Sequence, residues 1–242
     1  MKRILEIIGD IRRRYPCDDF FSNFEEDYRI SSEKGGMRDY YCLYNKALIT
    51  LDNESWEILK EKALNQYMNH REGQKKQGFF NHLNETFAYQ YLVHEGFDDV
   101  RFIREGPQIS PDIQFVAHGI PWCCEVKTLG ISDAQIKRRS SFEVIDIADY
   151  INLDNGFLNK FSDAVIAARK QMQSWGTNGL VYIIVNFDDP SLDLYQDYHR
   201  EQLIKFVQDH GFENLFIKIG LLGNESILHN PSFHMPGRPR QR

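Results

Sequence analysis

Apolar positions along this chain recur at two periods, and the places where the period changes outline its elements. In MKRILEIIGDIRRRYP the apolar residues are split by Glu6 and Asp10. That predicts a short amphipathic helix to about Tyr15 and leaves no apolar core of a secretory leader. An aromatic stretch, DYYCLYN (39–45), precedes a second helix, which Asp52 or Asn53 can cap and in which Trp56, Leu59, Ala63 and Tyr67 repeat at helical spacing. Gly73 and the basic run beside it mark a boundary. GFFNHLNETFAYQYLVHEG (78–96) reads as a helix, with Phe80, Leu83, Phe87 and Tyr91 on one stripe and Gly96 at its end. VRFI (100–103) is a short strand, and residues 110–127 carry two more on either side of His118-Gly119. A long variable stretch, 129–158, leads into FLNKFSDAVIAARKQMQSW, a helix expected to bury Phe161, Val165, Ala168, Met172 and Trp175. GLVYIIVNF (179–187) is nearly all apolar, as a strand covered on both faces should be. A helix around 195–210 and a strand LFIKIGLL (215–222) complete the pattern.

That order predicts an α/β fold, a mixed central β-sheet flanked by helices, preceded by a mostly helical N-terminal appendage. The expected organisation is an appendage over residues 1–75, a core over 76–225 and a basic tail over 226–242.

The sharpest local feature is SPDIQFVAHGIPWCCEVK (110–127). With His118 and Gly119 as the central residues of a tight turn, facing residues pair Ala117 with Ile120, Phe115 with Trp122, Ile113 with Cys124 and Asp112 with Glu125. Alternation puts Ile113, Phe115, Trp122, Cys124 and Val126 on an apolar face, and Asp112, Gln114, Cys123, Glu125 and Lys127 on a polar one. Directly opposed side chains have Cβ atoms roughly 5 Å apart, where like charges destabilise. A shared proton, a neighbouring cation such as Lys127, or a divalent metal would offset the repulsion.

Composition narrows the function classes. The 242 residues carry a formal net charge of −6, with 42% hydrophobic and 13% aromatic residues. Net acidity argues against a protein that coats nucleic acid through bulk positive charge. It leaves room for an acidic metal pocket with local basic patches, of which REGQKK (71–76), KRR (137–139) and RPRQR (238–242) are candidates. Four cysteines without framework spacing fit a reduced, cytoplasmic protein, and no run reaches the length of a membrane span. Phosphate-loop, H-E-x-x-H and G-x-S-x-G motifs are absent, and His82 with Glu85, three apart on a helix, carries no ligand signature by itself.

Pro111-Asp112 followed by Glu125-Val126-Lys127 resembles the motif of the PD-(D/E)xK nuclease superfamily, and the surrounding order of elements over about residues 79–222 is similar to its restriction-endonuclease-like core. The resemblance implies Mg²⁺ or Mn²⁺ held by Asp112 and Glu125, with the Val126 carbonyl as a further ligand and Lys127 as the catalytic lysine. It also implies an acidic residue on the preceding helix, for which Glu85 is the candidate; a solvent-facing helix glutamate is the plain alternative. Gln171-Met-Gln-Ser-Trp175 resembles the Gln-x-x-x-aromatic motif of exonuclease-like branches, with Trp in place of Tyr, and adds Gln171 to the catalytic set. Lys137, Arg138, Arg139, Arg169 and Lys170 are candidate phosphate contacts, or else an ordinary solvated face. The expected activity is therefore metal-dependent hydrolysis of nucleic-acid phosphodiesters, DNA in the first place, without a membrane partner. A non-catalytic binding or assembly protein on the same scaffold is the alternative, with the N-terminal region as a docking module for a protein partner. A phosphoesterase acting on small substrates is the third.

Overall fold

The computed structural model describes residues 2–34, 40–70, 75–107, 109–130, 151–176, 178–187, 194–220 and 226–229. The fold is α/β: a mixed sheet flanked by helices, with a helical N-terminal region. The chain forms two compact units, the first made of Met1–Gln108 with Asp112–Ile120 and the second of Ile109–Pro111 with Pro121–Arg242.

In the first unit, α1 (Arg3–Arg14) buries Ile4, Ile7, Ile8 and Ile11, an apolar stripe at the spacing its sequence predicts. Two helices without a predicted counterpart follow, α2 (Phe24–Lys34) and α3 (Tyr40–Leu48), the latter over the aromatic stretch and burying Tyr44, Ala47 and Leu48. Helix α4 (Asn53–Asn65) starts where expected, because Asp52 takes an extended backbone and its carboxylate accepts from the Ser55 N–H at 2.7 Å. The expected stripe of Trp56, Leu59 and Ala63 is buried, and so is Tyr67 beyond the helix. Helix α5 (Gln77–His94) is covered more widely than one stripe: Phe79, Leu83, Phe87, Ala88, Tyr89 and Leu92 are all buried, while Phe80 and Tyr91 stay partly exposed. The reason is that α3, α4 and β1 (Asp98–Phe102) all pack on it. Strand β1 pairs antiparallel with β2 (Ile113–Ala117), with Phe102 opposite Ile113 and a bulge between Asp98 and Arg101. His118 and Gly119 both take positive φ, 53° and 75°, the signature of a two-residue I′ turn.

The second unit is built on β3 (Ile120–Leu129), β4 (Asn178–Val185) and β5 (Leu215–Ile219), paired in parallel in that order, with β6 (Ser226–His229) antiparallel to β5. Gly220, with φ 74°, ends β5 three residues before the predicted end, and β6 had no sequence counterpart. Helix α6 (Asn155–Trp175) is capped by Asp154, which accepts from the Phe157 N–H at 2.7 Å, and stops at Gly176 in the left-handed region. Phe157, Phe161, Val165, Ala168 and Met172 of α6 and Leu203 of α7 (Gln196–Asp209) share one apolar cluster with Cys123, Val181, Ile183, Leu215 and Ile217. Trp175, expected in that core, is 39% exposed because it lies in the last turn, beyond Met172. Cys123 and Glu125 are as buried as Cys124 and Val126, so the polar side of β3 is also an interior side. The reason is local: α6 lies so close over β4 that a Cβ on Gly179, the partner of Cys123, would sit 2.7 Å from Met172 Sδ. Among the described residues no helix is long and apolar enough to cross a membrane.

Candidate active site

The second unit supplies Glu125, Lys127 and Gln171. Glu125 and Lys127 are two apart on β3 and therefore on one face, and parallel pairing sets them opposite Val181 and Ile183 on the side where α6 packs. Glu125 is 2% exposed, an expensive place for a carboxylate unless it is paired. Lys127 Nζ is 2.5 Å from Glu125 Oε1. On the other oxygen, Gln171 Nε2 donates to Glu125 Oε2 at 2.8 Å and also to the Ser110 carbonyl at 2.7 Å. One carboxylate is thus held from both sides, by a half-exposed ammonium and by a side-chain amide anchored to backbone. Cys123, on the same face, packs into the apolar cluster. Val126 points to the opposite face and is buried; its role in the expected set rests on its carbonyl.

The first unit supplies Asp112 and Glu85, and between them a residue that motif spacing did not single out, Lys62. Glu85 is 6% exposed, which settles its position: it faces the interior rather than solvent. Its Oε1 lies 2.6 Å from His82 Nδ1, so the histidine three residues earlier is a true contact and not a coincidence of spacing. Lys62, on α4, is 7% exposed and sits 3.3 Å from Asp112 Oδ1, 3.4 Å from Glu105 Oε1 and 3.6 Å from Glu85 Oε2. Glu85 Oε2 has no hydrogen-bond partner among the described residues. Burial alone would raise the Glu85 carboxyl, but Lys62 and then His82 outweigh it and hold the group below its ordinary value. Burial likewise works against the Lys62 ammonium, and the three carboxylates reverse that, keeping it above the ordinary lysine range. His82 follows the same logic, penalised by burial yet raised overall by Glu85. A glutamate with its charge retained inside the fold needs those cations. Lys62 went unnoticed because a lysine on an amphipathic helix ordinarily marks the solvated side; the signal was its place one turn after Ile58 and two after Ser55, both buried.

Of the expected phosphate contacts, Arg169 donates to the Glu213 carbonyl at 2.6 Å and stands over the Phe212 ring, while Lys170 is exposed. Lys137, Arg138 and Arg139 lie outside the described residues. Among the described residues no group of three or more His, Cys, Asp or Glu side chains is arranged to hold a metal ion. Comparison of the chain with protein-family models, with curated proteins and with solved structures finds no match in any of the three.

Proposed function

We propose that this protein is a metal-dependent phosphodiesterase acting on nucleic acid, with DNA the expected substrate. The observation that carries the reading is Glu125: buried, bound by Lys127 on one oxygen and by Gln171 on the other. An E-x-K pair on a strand is common on solvated faces. A pair whose glutamate is enclosed and anchored through a helix glutamine is what a site needs to hold a carboxylate at a defined angle. His118 and Gly119 take the two-residue I′ form that the hairpin reading expects.

The donors that the resemblance implies are of the type a hard divalent cation takes: the Asp112 and Glu85 carboxylates in the first unit, and the Glu125 carboxylate and Val126 carbonyl in the second. When bound, Mg²⁺ or Mn²⁺ would polarise the phosphoryl oxygen and acidify a coordinated water. The chain's own contribution is positional. Gln171 fixes the Glu125 carboxylate, and Lys127 orients the attacking water and donates to the charge that develops on the phosphoryl oxygens. Lys170, exposed on α6, is the remaining described candidate for a phosphate contact. Its location in the cytoplasm belongs to the same proposal.

The rival reading, a non-catalytic binding protein, draws on one specific observation: Glu85 and Asp112 have a cationic partner within the chain, Lys62. Incubating the purified protein with MnCl₂ or MgCl₂ and single-stranded DNA, duplex DNA, RNA and a small phosphodiester separates the readings. The expected result is metal-dependent cleavage of a nucleic acid, lowered about 10²–10³-fold in Lys127→Ala and at least as much in Asp112→Asn. Absence of cleavage by the wild type, or cleavage undiminished in both variants, overturns the proposal.

A further inference from the structure

Tryptophan has a large apolar area to hide and is well buried on average. Trp175 departs from that. It is 39% exposed in the last turn of α6, and it makes no hydrogen bond, ring contact or cation contact with the described residues. Its place on the helix gives that exposure meaning. Trp175 follows Gln171 by four residues, so the two share one line along α6. Helical side chains lean over the turn N-terminal to their own Cα, which brings the indole back toward Gln171. Gln171 in turn donates to the buried Glu125 carboxylate at 2.8 Å and to the Ser110 carbonyl at 2.7 Å. Ile109, the residue before Ser110, is 73% exposed. Two large apolar side chains thus stand open to water beside the glutamine that anchors the site. Cations that reach water accompany them: Lys127 on the Glu125 carboxylate and Lys170, the residue before Gln171. An open aromatic face among such cations is the combination a single strand of nucleic acid takes, phosphates on the cations and a base on the ring.

We propose that Trp175 is a stacking platform for an unpaired base, and that it makes single-stranded nucleic acid the preferred substrate of this site. The inference deepens the proposed function, on which it rests for the class of ligand. In a duplex each base is covered on both faces by its neighbours, so an indole finds a π-face only where a base is unpaired. Stacking tolerates any sequence, because every base has such a face. It also suits an acidic chain. A ring–base contact does not depend on neutralising many phosphates, the route that a net charge of −6 makes unfavourable. Trp175 is in this sense a substrate-binding residue, set one helical turn from the amide that holds Glu125.

The test uses the full chain in EDTA, so that binding is read without cleavage, and labelled oligo(dT) followed by fluorescence anisotropy. A duplex and an abasic strand of the same length serve as competitors. The wild type is expected to bind the single strand more tightly than either. Trp175→Ala, and Trp175→Leu, which keeps apolar bulk without a ring, should weaken single-strand binding about tenfold; Trp175→Tyr, which keeps a ring, should lose about threefold or less. Affinity for the abasic strand, which has a backbone and no base, should move by less than about twofold in all three. Equal single-strand affinity in the wild type and Trp175→Ala overturns the proposal. So does an equal loss for the abasic strand, a wild type that binds duplex as tightly as the single strand, or a wild type that binds neither. If Trp175→Ala does not fold, Trp175→Tyr and Trp175→Leu decide, and equal affinities in those two overturn the proposal. Cleavage in MnCl₂ separates the two ideas. A wild type that cleaves while the ring has no effect on binding removes only the platform, and ring-dependent binding without cleavage removes only the nuclease reading.

Discussion

Replacing Gln171 by Met keeps the length and apolar stem of the side chain and deletes its amide, so the consequences fall on two hydrogen bonds. One runs to the Glu125 carboxylate at 2.8 Å and one to the Ser110 carbonyl at 2.7 Å. A bond to a charged partner contributes about 1.5–3 kcal/mol and a neutral one about 0.5–1.5 kcal/mol. Gln171 is only partly buried, which puts both near the low end, for a combined loss of about 2 kcal/mol. With a urea dependence of about 3 kcal/mol/M for a chain of this size, the unfolding midpoint should drop by about 0.7 M. Urea unfolding followed by tryptophan fluorescence measures it. Pairing the change with Glu125→Gln in a double-mutant cycle isolates the amide–carboxylate contact, for which a coupling of about 1.5 kcal/mol is expected. A coupling below about 0.3 kcal/mol would mean that water replaces the amide at no cost, and the argument that Gln171 anchors Glu125 would fall.

Two further outcomes test the units separately. In the first, burial would raise the Asp18 carboxyl, but hydrogen bonds from Lys76 and Tyr67 hold it below its ordinary 3.8. A depressed carboxylate stabilises the fold above its unfolded value and loses that contribution as pH falls through the folded one, so the stability gap between wild type and Asp18→Asn should be steady down to about pH 4 and shrink below it; a gap unchanged at about pH 3 contradicts this. In the second unit, Gly220→Ala should destabilise by about 1 kcal/mol, since φ is 74°, a backbone conformation that a Cβ disfavours; denaturant midpoints equal to wild type refute it.

Periodicity and capping chemistry are local, and what they govern was legible in the chain. Helices α1, α4, α5 and α6 lie where the apolar repeats and the Asp52 cap put them, and the His118-Gly119 turn has the backbone its residues favour. Helices α2 and α3 escaped notice because Tyr40–Leu48 is aromatic enough to read as strand or loop; its helical face shows only once Tyr44 donates to Asn84 of α5. Glu125 and Lys127 could be named from spacing, since alternation on one strand places them together whatever surrounds them. The enclosure of Glu125 could not, because it depends on a close helix–strand approach at Gly179. Lys62 is the clearest case: its partner Asp112 lies 50 positions away, and no rule based on neighbours along the chain says which buried lysine meets which carboxylate. Sequence determined the elements and the chemical types available, through interactions a few residues long. Tertiary packing alone decided which of those charges are taken out of water, and with that which ones must find a partner.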